Sequence, residues 1–258
     1  MPKTIITRAD DFGSSRAANA AILEAGKNGF IRNVSLMAVG PFIEEDATAL
    51  QMVPGLCLGM HAVLNSEWDE IKWTPVLPKE EISSLLDQDG EFYASRQFFP
   101  KGAVRIEEVL REYDAQLDKL TRLGFSVSYV DSHMFSEKGV EGLPEAFSQW
   151  IAAKGLIDHR WFYNWLPLED GDAPLTLRME RSFAGLEDGQ YIHIFHPACP
   201  TEEMLHYGHP GNPAQTVRKC RGEEYRFVSS PESLELCRKY DIRPIRYDEA
   251  TPLPVRPV

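Results

Sequence analysis

Apolar positions alternate with polar ones over short stretches and recur at helical spacing over longer ones, and the two periods take turns along the chain. Thr4-Ile5-Ile6-Thr7-Arg8-Ala9 is β-branched and predicts a strand that ends in Asp10-Asp11-Phe12-Gly13. Ser14 and Ser15 are N-cap candidates for a helix in which Ala18, Ile22, Ala25 and Phe30 share a face, and Asn28-Gly29 closes it. Asn33–Val39 predicts a second strand stopped by Gly40-Pro41, then a helix over Phe42–Met52 and a third strand over Leu56–Leu64. From Asn65 to Gly102 the periodicity stops, and Trp68, Trp73, three prolines and several acidic residues follow without pattern. A loop of that length in a compact domain is usually functional, as a lid or a substrate wall.

The rhythm then returns. Val104–Leu123 reads as the clearest helix, with Ile106, Val109, Leu110, Tyr113, Leu117 and Leu120 on one face. A strand over Phe125–Val130 ends in Asp131-Ser132-His133, followed by a helix over Leu143–Lys154 and a strand near His159–Tyr163. The strand Gln190–Phe195 ends in His196-Pro197; a helix over Pro231–Tyr240 and a strand over Ile242–Tyr247 complete the pattern. Strands separated by helical segments imply an α/β fold with a mostly parallel sheet, in one domain over residues 1–258. About seven strands suit a distorted or incomplete (β/α) barrel, TIM-barrel-like, better than an open sheet.

Composition removes several classes of function. The chain has 258 residues, 43% hydrophobic and 26% charged, as in a soluble globular protein. No run approaches the roughly 20 apolar residues of a membrane span, and the first residues lack an apolar signal core, which points to the cytoplasm and no membrane partner. With 39 acidic against 27 basic side chains the net charge is −12, a field that repels nucleic acid. Cys57, Cys199, Cys220 and Cys237 lack C-x-x-C spacing and read as reduced thiols. Nothing in the composition opposes a homodimer.

The candidate chemistry is positional. Asp10/Asp11, His61, Asp131/His133 and His196 all stand at or just past the C-terminal ends of expected strands. In parallel α/β folds those ends converge on one face. Singly, each has a plainer explanation. An aspartate after a strand serves as a turn residue or cap, and a lone histidine in an apolar run is more often a hydrogen-bonded core residue. Two adjacent carboxylates repel each other, however, and a metal would offset that repulsion. One aspartate and two histidines make a nitrogen–oxygen ligand set with positions open for water and substrate, a catalytic rather than a structural pattern. His193 is expected within a strand, and His206 and His209 in a loop. Arg8, Arg16, Lys138, Arg218 and Arg221 could contact a phosphate, against the plainer reading of solvated surface charge.

Together these pieces resemble the YdjC-like carbohydrate deacetylases, a family that includes chitooligosaccharide deacetylases. Ala9-Asp10-Asp11-Phe12-Gly13 with Asn19-x-x-Ile22, Leu58-Gly59-Met60-His61, Asp131-Ser132-His133 and His196-Pro197 occur in the family's order. Arg221-x-x-Glu224 before Ser229-Ser230-Pro231-Glu232 matches a further late pattern. The resemblance implies one divalent ion, Mg2+ or Zn2+, held by Asp11, His61 and His133. It implies Asp10 as general base, His196 as general acid, and Asp131, Arg221 and Glu224 as substrate contacts. The implied reaction is hydrolysis of an acetamido group on a small acetylated sugar, a short N-acetylglucosamine oligosaccharide or its 6-phosphate.

Two departures alter the expected pocket wall. Met134-Phe135-Ser136 stands where the family often continues into histidines, and Ala198-Cys199-Pro200 where a glycine often follows His-Pro. Trp68, Trp73, Phe92 and Tyr93 are expected to stack on pyranose faces or else to pack the long loop. The alternatives are a metal-dependent hydrolase of a phosphoester or another amide, and a non-catalytic sugar-binding regulator. A glycosidase would need two carboxylates about 5–10 Å apart across the bond, which neighbouring Asp10 and Asp11 do not provide.

Overall fold

The computed structural model describes residues 2–255. Its strands are β1 (Lys3–Phe12), β2 (Asn33–Leu36), β3 (Cys57–Ala62), β4 (Val127–Ser132), β5 (Ile157–Asp158), β6 (Gln190–Phe195) and β7 (Ile242–Ile245). They form one parallel sheet in the order β5-β4-β3-β2-β1-β6, with β7 paired to the first half of β1, from Lys3 to Ile6. The sheet curls into a half-barrel. Asn164–Leu166, beyond β5, returns to bond β6 (Leu166 N–H to Ile192 O, 2.9 Å; Ile192 N–H to Asn164 O, 2.8 Å), which narrows the gap between the two edges. Helices α1 (Arg16–Asn28), α2 (Ala47–Gln51), α3 (Ile106–Arg122), α4 (Leu143–Ala153), α5 (Leu175–Ala184), α6 (Ala214–Ser229) and α7 (Pro231–Lys239) flank it.

A strand's period of two separates the two cores. Ile5, Ala9, Val34, Leu36, Met60, Val130 and Phe195 belong to the large apolar cluster that also holds the buried faces of the helices. The alternate positions, Ile6, Cys57, Tyr129, Ile192 and Ile245, form a second cluster with Phe162, Tyr163 and Tyr247. Following that second set toward the C-terminal strand ends, Ile6 leads to Arg8 and Asp10, Cys57 to Gly59 and His61, Tyr129 to Asp131 and His133. The interior is apolar at the bottom and ionisable at the top. Gly59 is required where it stands: a Cβ there would lie 2.3 Å from the Tyr129 ring, itself packed on Tyr247 at 4.4 Å and bonded through its hydroxyl to Ser35 (2.9 Å).

The long stretch from Asn65 to Gly102 contains three short 3-10 turns, Lys79–Glu81, Ser83–Leu85 and Arg96–Phe98, and no strand or α-helix. It is nonetheless docked. Buried Glu108 and Glu112 on α3 accept backbone N–H groups of Ser84, Val76 and Leu77, and Gln116 bonds both backbone groups of Val63. The loop's orphan donors are satisfied by one polar row of a helix.

Several element boundaries differ from the sequence expectation. The helix expected over Phe42–Met52 is only Ala47–Gln51, because Asn19 Nδ2 takes the Phe42 carbonyl and the Asp46 carboxylate. The strand expected near His159–Tyr163 is Ile157–Asp158 followed by a 3-10 turn, and its aromatic residues fill the barrel interior. Helices α5 and α6 carry no expectation in the pattern above. Their apolar residues are sparse (Leu175, Met179 and Phe183 on α5; Val217, Phe227 and Val228 on α6) among many charges. Ser15, not Ser14, caps α1, through Ala18 N–H at 2.9 Å, and Gly29 closes it at φ 86°.

Gly59→Ala should therefore overpack the barrel. A cost of about 1–3 kcal/mol is expected, a fall in melting temperature of about 2–12 °C for a chain of this size. A variant melting with the wild type would show that the Tyr129 ring can move aside.

Candidate metal centre and catalytic cleft

The adjacent aspartates reach one site through a bulge. The β1–β2 register slips between Ala9 and Phe12, and Asp11 stands at φ 71°, a left-handed conformation uncommon for a residue other than glycine. The extra residue turns Asp11 to the same side as Asp10. Strand β1 continues through both, so the change of direction falls at Asp11 itself rather than at Phe12-Gly13. Asn19 on α1 anchors the following turn by accepting Gly13 N–H at 2.7 Å.

Asp11, His61 and His133 converge. His61 Nε2 lies 3.0 Å from His133 Nδ1; Asp11 Oδ1 is 3.5 Å from the first and 3.7 Å from the second. The other nitrogen of each ring is held by a carboxylate: His61 Nδ1 by Asp131, and His133 Nε2 by Glu67 at 2.9 Å. Ionised carboxylates only accept, so those outer nitrogens carry protons, and in neutral rings the inner ones present lone pairs. Asp11 Oδ1 is buried and accepts no hydrogen bond. With His61 neutral, three lone pairs meet there; with it protonated, its inner N–H donates to His133 Nδ1. Two ligands each about 2.1 Å from an ion lie about 3.0 Å apart at a right angle, about 3.4 Å at the tetrahedral angle and about 3.7 Å when the angle opens to about 125°. The observed separations fit a divalent ion.

Charge points the same way. The buried carboxylates Asp10, Asp11 and Asp131 face the guanidiniums of Arg8 and Arg221 and Glu67 faces His133, so with the imidazoles neutral two negative charges stay uncompensated. Burial alone would lower the His61 pKa, but Asp131, Asp10 and Asp11 outweigh it and raise it to about 9. Asp11 is held well below the usual carboxylate range: burial opposes this, but Arg221 (Nη2 to Oδ2, 2.8 Å) and the histidines outweigh it.

A second ligand-like group, Asp10, His61 and Asp131, adjoins the first, but a cation already serves it. Arg8 grips Asp10 with two bonds, 2.6 and 2.8 Å, and stands 3.6 Å from Asp131. Its remaining nitrogen donates to the hydroxyls of Tyr247 (3.0 Å) and Tyr163 (3.4 Å). Asp10 is thereby held below the usual range, burial being outweighed mainly by Arg8.

A cavity of about 420 Å3 opens over these groups, and Asp10, Asp11, His61, His133, His196 and Arg221 all line it. His196 follows β6, with Nε2 4.0 Å from Asp10 Oδ2 and its side chain 43% exposed. Asp131 and Glu224 hold neighbouring groups. Asp131 is fully buried behind His61, accepting Ser35 Oγ at 2.5 Å; Glu224 accepts the His196 backbone N–H at 2.5 Å and so fixes the end of β6. Neither lines the cavity. The five expected phosphate cations do not gather: Arg16 pairs with Glu45, Arg218 with Glu202, and Lys138 lies over Phe135, while Arg8 and Arg221 are engaged by Asp10 and Asp11.

Of the two expectations for the loop aromatics, packing holds for Trp73, Phe92 and Tyr93. Trp73 and Phe92 are buried in the main core and Tyr93 packs on Phe99, because the loop closes over its own apolar residues. Trp68 does line the cavity, beneath Arg221 at 5.6 Å, but is only 4% exposed. The open ring there is Trp165, 48% exposed and stacked on Tyr163 at 4.7 Å. The sequence also leaves Glu67 unmarked, one acidic residue in a stretch without periodicity. The Ala198 and Cys199 amides tie β6's exit to Arg221 O and Ala17 O.

A model of the family described as YdjC-like protein matches residues 4–239. A carbohydrate deacetylase of Enterococcus faecalis is 34% identical over 51% of this chain and 48% of its own length. The chain thus spans about half the length of that relative. A chitooligosaccharide deacetylase of Escherichia fergusonii is 29% identical over 74% of this chain and 72% of its own. A solved protein of Enterococcus faecalis, described as a candidate for cellobiose-phosphate cleavage, superposes with a TM-score of 0.75 at 21% identity, over 96% of this chain and 99% of that one. That likeness is one of fold.

Since His61 holds a proton below about pH 9 when no ion is bound, an incoming ion must displace it. Zn2+ titrations near pH 7 in buffers of different ionisation heat should show proton release, with affinity falling about tenfold per unit as the pH drops from 9. Binding independent of pH would contradict this. Glu67→Gln should weaken metal binding by about 10- to 100-fold by loosening the His133 ring, and unchanged affinity would deny Glu67 that role.

Proposed function

The chain belongs to the YdjC-like protein family, and on that premise we propose that it is a metal-dependent hydrolase that removes the acetyl group from an N-acetylated sugar, a short N-acetylglucosamine oligosaccharide. The observation that carries the proposal is the meeting of Asp11, His61 and His133 beside Asp10 and His196 in one cavity. The deacetylase relatives support the choice of bond and of sugar.

An amide carbonyl is a poor electrophile and water a poor nucleophile. A divalent ion on Asp11, His61 and His133 would polarise the acetyl oxygen and acidify water. Asp10 is the acceptor for the water's proton. Arg8 occupies one lone pair on each Asp10 oxygen and keeps the group ionised, so it stands ready over the working pH range while remaining a weak base. As the water oxygen bonds to the acetyl carbon, that proton passes to Asp10. His196 donates a proton to the sugar nitrogen as the C–N bond breaks, releasing the free amine and acetic acid, which ionises to acetate; Asp10 gives up its proton and His196 regains one through solvent. His196 reaches into the open part of the cavity, where a leaving amine can meet it, while Glu224 fixes its backbone. Asp131 and Glu67 act through the rings they hold rather than on the sugar. The pairing of Arg8 and Arg221 with aspartates favours an uncharged oligosaccharide over its 6-phosphate.

Incubation with N-acetylglucosamine, diacetylchitobiose and their 6-phosphates, with metal supplied, should release acetate and leave the glycosidic bond intact by mass spectrometry. A chelator should stop the release. No acetate from any acetylated sugar would remove the proposal. Asp10→Asn should retain the metal and lose turnover by about 100- to 10,000-fold, the range of general acid–base catalysis. His196→Ala should lose a similar factor, less on substrates with better leaving amines. Loss of metal in Asp10→Asn would mean that the two aspartates have exchanged roles.

A further inference from the structure

The cleft does not end at the acidic centre. A second cavity of about 560 Å3 shares Glu67, Met134 and His209 with the first, and its remaining wall is Asp69, Pro210 and the segment Ala94–Phe98 of the long loop. The two spaces are adjoining chambers with a common neck.

The neck is held in an unusual conformation. Met134 and Phe135 both have φ of 51°, a left-handed pair without glycine. Such backbone persists only where surrounding structure enforces it. The enforcing residue is Arg96, whose Nη1 donates to the carbonyls of Met134 (2.8 Å) and Phe135 (3.1 Å). Asn65 Nδ2 meets the Met134 sulfur at 3.1 Å. The long loop is thus fastened to the turn that carries His133, and Met134 is left 43% exposed between the chambers.

Phe98 stands in the second chamber at 64% exposure. Large apolar side chains this open are few in the described chain, yet Phe98 and Met134 line this chamber, and Met134 and Trp165 the first. Around Phe98 the wall is mostly apolar, with Ala94, Met134 and Pro210, and Glu67, Asp69, Ser95 and Gln97 set polar groups along it, while Arg96 Nη1 donates to the two carbonyls. An open ring face on a mostly apolar wall edged with polar groups suits a pyranose, whose C–H face packs on an aromatic while its hydroxyls meet those groups.

We propose that this chamber is a second saccharide subsite, where the sugar linked to the acetamido residue stacks on Phe98 after passing the Met134 neck. The proposal rests on the sugar-deacetylase reading above, and it locates the specificity for an oligosaccharide over a monosaccharide in the long loop.

The test is calorimetric binding of N-acetylglucosamine and of diacetylchitobiose to Asp10→Asn protein loaded with Zn2+, with and without Phe98→Ala. The disaccharide should bind at least about tenfold tighter than the monosaccharide, and Phe98→Ala should remove most of that advantage while leaving monosaccharide binding unchanged. Phe98 is exposed, so the variant should melt with its parent. Equal affinity for the two sugars, an equal loss for both in Phe98→Ala, no loss for either, or binding of neither sugar would overturn the subsite. Acetate release by the wild type is a separate readout: disaccharide binding that depends on Phe98, without acetate release, would remove the deacetylase reading and keep the subsite.

Discussion

Two imidazole nitrogens 3.0 Å apart, each in a ring whose other nitrogen donates to a carboxylate on the far side, can share only one proton between them. A buried carboxylate oxygen without a hydrogen-bond partner completes the group. Such an arrangement is repulsive unless a cation or a proton occupies it. Much of the upper half-barrel serves this constraint. Ser35 on β2 and Arg8 on β1 steady Asp131 behind His61, the long loop brings Glu67 to His133, and α6 brings Arg221 to Asp11. Removing one outer partner would free a ring or leave a charge uncompensated, so the centre acts as a unit.

Beside it stands a contrasting group. Asp10, His61 and Asp131 resemble a ligand set, but Arg8 fills their centre of charge and is itself anchored by two tyrosine hydroxyls from the barrel interior. The fixed guanidinium holds Asp10 ionised. One His61 ring thus faces an aspartate on each side: Asp131 accepts its Nδ1–H, and Asp11 stands 3.5 Å from Nε2.

The α/β alternation, the parallel sheet and most strand positions were legible because period and turn chemistry are local. The convergence of Asp10, Asp11, His61, His133 and His196 was legible for a related reason: each follows a strand, and parallel strands deliver their ends to one face. What the sequence concealed depends on tertiary contacts. Helix α6 is mostly polar along its length, and β5 is too short to leave a period. Glu67 gains its meaning only when the loop folds onto His133. Asp131 and Glu224 sit beside the right motifs, yet their hydrogen bonds turn them away from the cavity toward the groups they hold. Trp73 and Phe92 look like sugar platforms in sequence and are buried in the core, whereas Phe98 and Trp165 are the rings left open.

The claim on which the rest hangs is that Asp11, His61 and His133 hold one divalent ion. Anomalous diffraction at the zinc edge, from crystals grown with Zn2+, tests it most directly. A single strong peak about 2.0–2.2 Å from Asp11 Oδ1, His61 Nε2 and His133 Nδ1 is expected. A peak between Asp10 and Asp131 in place of Arg8, or no peak within reach of the two histidines, would contradict it.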